Sequence, residues 1–192
     1  MSSPVPLSQE MSESILKSFK EKGIKFIGSA DIRSVDKSAN ALILANGQKI
    51  DFDLLMAVPV HIAPSAVQKS KLATNGWIEV DPFTLETSFE DVYAIGDVTE
   101  TKVPRAGVFS EGQAKVVASN IISKFRGKSA TKKYDGSATC YVEFGEEKLA
   151  QIDVNFLGGP NATGKFTPPK EEAKAYKEQF GASRRKRWFN KG

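Results

Sequence analysis

Gly76 to Glu100 reads GWIEVDPFTLETSFEDVYAIGDVTE. Two short apolar stretches, GWIEVD and DVYAIGD, flank a polar loop, and the second stops on Gly96-Asp97. After a further loop, Gly107 opens the best helical pattern of the chain, GVFSEGQAKVVASNIISKF. Val116, Val117, Ile121 and Ile122 recur there at helical spacing, and Gly127 follows the end. A strand, a Gly-Asp turn and a glycine-started helix make a ligand-binding arrangement in α/β sheets, where ligands sit beyond the carboxyl ends of parallel strands. Gly96 lets a ligand approach the backbone closely. Asp97 can accept hydrogen bonds from the hydroxyls of a sugar or ribityl chain. The helix N-terminus adds free N–H groups and the positive end of its dipole. A plain turn in which Asp97 caps the next segment fits the same spacing, so spacing alone leaves both readings open.

Outward from this stretch, the pattern stays α/β. Towards the N-terminus, Ser8 or Ser12 is positioned to cap a helix over Glu13–Lys22, which Gly23 would stop. Strand patterns follow at IKFIG from Ile24, DIRSVD from Asp31 and ALILA from Ala41. Asn46-Gly47 predicts a hairpin joining ALILA to QKIDF. FDLLMAV, Phe52–Val58, is nearly all apolar and predicts a strand buried on both faces, as in a parallel sheet. Towards the C-terminus, TCYVEFG and LAQIDVNF predict a hairpin across GEEK. LGGPNATGKFTPP then reads as a loop, Glu171–Phe180 as a short helix, and RRKRWFNKG as a tail.

Composition bounds the function. The chain has 192 residues, 40% hydrophobic and 26% charged, with a net charge of +4. That describes an ordinary globular chain. A single cysteine, Cys140, excludes an intrachain disulfide framework and a multi-cysteine metal site, and the lone histidine, His61, argues against a histidine-rich one. No apolar run reaches membrane-spanning length. The start, MSSPVPLSQEMSES, lacks a signal-peptide pattern, so the expected location is cytoplasmic.

GWIEVDPFTLETSFEDVYAIGDVTE resembles the C-terminal flavin motif of flavoproteins with two dinucleotide-binding domains. In order along the chain, DLLMAVPVHIAPSAV, VPRAGVFSEGQAKVVASNI, YDGSATCYVEFGEEKLAQIDVNF and YKEQFGASRRKRWF resemble the sulfide:quinone oxidoreductase and flavocytochrome c sulfide dehydrogenase group. These are FAD-dependent pyridine nucleotide-disulfide oxidoreductases. The resemblance implies an α/β, Rossmann-like fold and FAD as cofactor. It also implies electron transfer from a sulfur donor such as sulfide to a quinone or cytochrome. No G-x-G-x-x-G, the unit that binds the FAD pyrophosphate, occurs in the sequence. The chain therefore resembles the C-terminal half of such a flavoprotein. Residues 1–76 correspond to part of the second dinucleotide-binding domain, 77–130 to the segment returning to the FAD domain, and 131–192 to a C-terminal hairpin and helical tail. Alone, it is expected to retain little FAD, and to pair with a missing half or with itself. A non-catalytic binding or assembly subunit is the alternative function.

Residue by residue, the resemblance places Gly96, Asp97, Arg105, Ala106, Gly107 and Val108 at the flavin. Asp97 would face the ribityl or pyrophosphate region. Arg105 stands where lysine is common beside the flavin pyrimidine, although a solvated loop arginine also fits. Cys140 matches a cysteine that works with a second cysteine near the flavin to take up sulfide sulfur, a partner this chain lacks, or is simply packed in a strand. His61 is either a proton shuttle or structural. Arg184, Arg185, Lys186, Arg187 and Trp188 suit a peripheral contact with a membrane headgroup layer, or a solvated helix end; a nucleic-acid partner is not expected.

Overall fold

The computed structural model describes residues 2–5 and 7–190. The chain forms two compact units that divide between His61 and Ile62.

The first unit holds helix α1 (Gln9–Glu21) and a meander of strands β1 (Ile32–Asp36), β2 (Ala41–Leu44) and β3 (Lys49–Asp51). Ser8 caps α1 by accepting the Met11 N–H at 3.2 Å, and Gly23, at φ +67, ends the turn beyond it. Met11, Ala41 and Leu44 are buried. The Asn46-Gly47 turn forms as the sequence predicts. Gly47 takes φ +84, and the Asn46 side chain accepts the Gln48 N–H at 3.0 Å. The strand expected from Ile24 is irregular. The Phe52–Val58 strand is also absent. Beyond β3 the chain runs without a partner strand, and Leu54, Met56, Val58, Val60 and Ile62 are 75–89% exposed. The cause is physical: an apolar strand needs a neighbour for its N–H and C=O groups, and no described strand pairs with this one.

The second unit begins with the short helix α2 (Ser65–Gln68) and a sheet of β4 (Ala73–Thr74), β5 (Trp77–Glu79) and β6 (Thr99–Glu100). β5 and β6 are parallel, with Ile78 opposite Thr99. The strand expected over DVYAIGD shrinks to one antiparallel bridge, Glu86 to Tyr93, because this segment folds back on Leu85. The Ala94 N–H donates to the Leu85 carbonyl at 3.1 Å, and Leu85 is fully buried. A single 3-10 turn, Gly96–Val98, leads into β6.

Helix α3 spans Gly107–Phe125, the range its periodicity predicts, and buries Phe109, Gln113, Val116, Val117 and Asn120. It packs beside an antiparallel sheet of β7 (Ser137–Gly145), β8 (Lys148–Asn155) and β9 (Thr163–Lys170). β7 and β8 form the predicted hairpin, with Glu146 and Glu147 both at positive φ in the turn. β9 occupies the stretch that reads as a loop. Its prolines, Pro168 and Pro169, lie on an edge strand, where a missing N–H is tolerated.

Helix α4 runs from Ala173 to Phe189, so the expected tail is helical through the basic cluster. Two groups of ion pairs hold it. Lys174 pairs with Glu147 and Lys177 with Glu143 on the hairpin. Glu111 of α3 meets Arg184 at 2.7 Å and Arg187 at 3.1 Å, and also Lys115 at 3.0 Å. Burial alone would raise the Glu111 carboxyl, but hydrogen bonds from Lys115 and Arg184 outweigh it and hold it below its ordinary value. A depressed carboxyl contributes stability that is present above its unfolded pKa and lost as pH falls through the folded one. Glu111→Ala should therefore cost about 1.5–3 kcal/mol at neutral pH. It should also remove part of the acid loosening of α4, read as amide exchange along that helix; unchanged exchange would show that Glu111 does not anchor it.

Candidate functional site

The site is assembled where the 3-10 turn meets the start of α3. Gly96 adopts φ +75, a backbone setting that glycine reaches without strain. A Cβ there would lie 3.1 Å from the Ser110 hydroxyl oxygen. Three backbone polar groups of the Gly96-Asp97 step are held. The Gly96 N–H donates to Gln113 Oε1 at 2.6 Å. The Gly96 carbonyl accepts the Thr99 hydroxyl at 2.7 Å. The Asp97 carbonyl accepts Arg105 Nε at 3.0 Å.

The Asp97 carboxylate is exposed and forms no hydrogen bond or ion pair with the described residues. It does not cap the following segment, one of the two roles its spacing allows. Close by, Ala106 precedes α3 in extended conformation and supplies no side-chain cap. The N–H groups of Gly107 and Val108 are left for a ligand or water, as the first helical N–H groups are in any helix. A Cβ on Gly107 would meet nothing within 4 Å, so the approach to this end is open. The arrangement can receive an electron-rich, hydroxyl-bearing ligand, with a carboxylate on one side and helix N–H groups on the other.

Gly96, Asp97, Arg105, Ala106, Gly107 and Val108 are thus brought together. Arg105 is committed within the cluster. Its guanidinium lies 3.8 Å from the centre of the Trp77 ring and 3.3 Å from the Glu100 carboxylate. It staples the turn to β5 and β6, with its charge offset by Glu100.

Cys140 lies outside this cluster. It sits in the middle of β7, opposite Ile152, and is half-buried. Burial pushes its thiol above the ordinary value, and the charge of Asp153 adds to the effect. His61 is exposed in the irregular stretch after β3. Of the basic cluster, Arg184 and Arg187 are engaged by Glu111, and Arg184 also stacks on Phe180 at 3.3 Å. Arg185, Lys186 and Trp188 are exposed. Among the described residues, no helix is long and apolar enough to cross a membrane.

Gln113, Thr99 and Trp77 complete the turn, although sequence reasoning did not single them out. Gln113 did carry a signal. It is a polar residue in the buried stripe of Phe109, Val116 and Val117, and such a residue must find a partner.

The sequence profile of the pyridine nucleotide-disulphide oxidoreductase family matches residues 2–118. The mitochondrial sulfide:quinone oxidoreductase of Schizosaccharomyces pombe is 33% identical over 119 residues, which cover 60% of this chain and 26% of that protein. Its counterpart from Mus musculus is 25% identical over 129 residues, covering 66% of this chain and 29% of that protein. The chain thus spans less than a third of the length of these relatives. The X-ray structure of the sulfide:quinone oxidoreductase from Aquifex aeolicus superposes with a TM-score of 0.70 at 20% identity, over 90% of this chain and 43% of that one, a likeness of fold. The profile match runs from the N-terminal unit through the Gly96-Asp97 turn and into α3, and the chain belongs to the pyridine nucleotide-disulphide oxidoreductase family.

Proposed function

We propose that this chain forms the flavin ribityl and ring side of an FAD-dependent oxidoreductase that moves electrons from sulfide, or a related sulfur donor, to a quinone or cytochrome. The observation that carries the proposal is the stapled Gly96-Asp97 turn, which leaves one free carboxylate at the open N-terminus of α3. The resident residues fit the hydroxyl-bearing part of FAD. The sequence supplies no G-x-G-x-x-G for its pyrophosphate. When bound, FAD supplies the electron-accepting centre. The chain's own residues position it: Asp97 accepts hydrogen bonds from ribityl hydroxyls, and the Gly107 and Val108 N–H groups donate to an electron-rich edge. Arg105 acts through the turn it staples.

Two observations favour a second reading, an assembly subunit that docks on a separate FAD-binding chain. The side chains of Leu54, Met56, Val58, Val60 and Ile62 are uncovered, and burial pushes the Cys140 thiol up, away from the thiolate form that carries sulfur.

The two readings separate on the chain purified together with whatever co-purifies with it. Flavin absorption bands that bleach on anaerobic addition of sulfide support the oxidoreductase. Flavin bands that sulfide does not bleach, and whose retention Asp97→Ala leaves unchanged, favour the second reading, because the partner then holds the flavin without this site. In a flavin-containing preparation, Cys140→Ala tests the sulfur-carrying role. Slower bleaching assigns it to this thiol, whereas an unchanged rate makes Cys140 structural and removes the chemical anchor of the sulfide assignment.

A further inference from the structure

Gln113 lies in the second turn of α3, away from the helix's open end, and is 2% exposed. A buried amide of this kind loses free energy unless it is hydrogen-bonded. Its Oε1 takes the N–H of Gly96, seventeen residues earlier in the chain, at 2.6 Å. This bond fixes the direction of the peptide entering a glycine at φ +75. That peptide direction sets where the next residue, Asp97, projects. The other two ties, Thr99 to the Gly96 carbonyl and Arg105 to the Asp97 carbonyl, come from residues on the same loop and its adjoining strand. Gln113 is the tie from α3 itself, so it couples the carboxylate to the helix whose N–H groups form the other side of the site.

We propose that Gln113 is a positioning residue for ligand capture, holding the Gly96 peptide so that the Asp97 carboxylate and the α3 N-terminus serve one ligand. It acts through Gly96 and does not touch the ligand. The identity of that ligand rests on the flavin reading above; the hold on Gly96 does not.

The test compares the full chain with Gln113→Leu, which removes the acceptor at similar size, and Gln113→Glu, which keeps an oxygen in its place. Val117→Ala, a buried change on the same helix, controls for general destabilisation. Two quantities are read: exchange of the Gly96 amide by NMR, and release of added FAD from the chain with its co-purifying partner.

Gln113→Leu should speed Gly96 exchange and FAD release by about tenfold each, the loss of one net hydrogen bond. Gln113→Glu should restore slow Gly96 exchange, and Val117→Ala should leave FAD release unchanged at temperatures where it is folded. If Gly96 exchange is the same in Gln113→Leu as in the parent, or the same in the leucine and glutamate variants, the proposal is overturned. If Val117→Ala speeds FAD release as much as Gln113→Leu, the effect is general and the proposal also falls. If Gly96 responds as expected but the parent binds no FAD, the hold on Gly96 is supported and the flavin reading fails.

Discussion

Asp97→Ala should loosen FAD from the flavin-loaded assembly by about one to two orders of magnitude while leaving the fold intact. The two halves of this expectation have separate grounds. The carboxylate is exposed and makes no side-chain bond to the described residues, so its removal takes nothing from the turn. Surface changes of that sort stay within about 0.5 kcal/mol of parent stability. A charge-assisted hydrogen bond to a ligand hydroxyl is worth about 1.5–3 kcal/mol, and each 1.4 kcal/mol is about a decade in affinity. Asp97→Asn keeps the shape and one acceptor and should fall between parent and alanine. Cys140→Ala offers a comparison from outside the cluster and should leave flavin release unchanged. Release rates are followed by recovery of flavin fluorescence on dilution, with a urea midpoint for each variant. Equal release from parent and Asp97→Ala would remove Asp97 from the site.

The largest effect on stability is expected at Gly136, where β7 begins. Gly136 is buried at φ +74, and a Cβ there would stand 2.7 Å from both the backbone nitrogen and the Cγ of Leu157. The chain leaving β8 crosses directly over it, tied by the Phe156 N–H to the Gly136 carbonyl at 3.1 Å. Alanine must bear the left-handed backbone, about 1–2 kcal/mol, and force the crossing apart, about 1–3 kcal/mol more. Gly136→Ala should thus cost about 2–5 kcal/mol, a large share of the stability of an ordinary domain. Gly127→Ala separates the two contributions. Gly127 has φ +65 but nothing within 4 Å of a Cβ, so only the backbone cost of about 1–2 kcal/mol applies. Urea unfolding of both variants measures the difference, and equal midpoints would mean that the crossing yields freely.

What could be read from the sequence follows the range of the interactions involved. α1, the Asn46-Gly47 turn, α3 and the β7–β8 hairpin depend on neighbours in sequence, and their patterns predict them, although α1 starts at Gln9, behind the Ser8 cap, rather than at the expected Glu13. β9 was hidden because Gly, Pro and Asn mark turns, and only β8 beside it makes Thr163–Lys170 a strand. The extension of α4 through Arg184 and Arg187 depends on Glu111, more than seventy residues away in sequence. Phe52–Val58 has the composition of a buried strand, but composition supplies no hydrogen-bonding neighbour. The site divides in the same way. Gly96, Asp97 and the start of α3 are contiguous enough to be seen as a motif. Arg105 reads from the motif either as a cation beside the flavin or as a solvated loop arginine, and its contacts with Trp77 and Glu100 become visible only once β5 and β6 lie side by side.

The uncovered stretch after β3 also bears on colloidal behaviour. Leu54–Val58 presents unpaired backbone and an unbroken run of apolar side chains, the profile of a segment prone to pair edge to edge between molecules. Its flanks limit that hazard. Asp51 and Asp53 bring charge to one end, and Pro59, with no N–H to donate, stops a ladder at the other. The run between them is five residues, shorter than the six or seven that sustain a steric zipper. The segment can add one strand to a neighbouring sheet, yet it is too short and too well bounded to template a fibril.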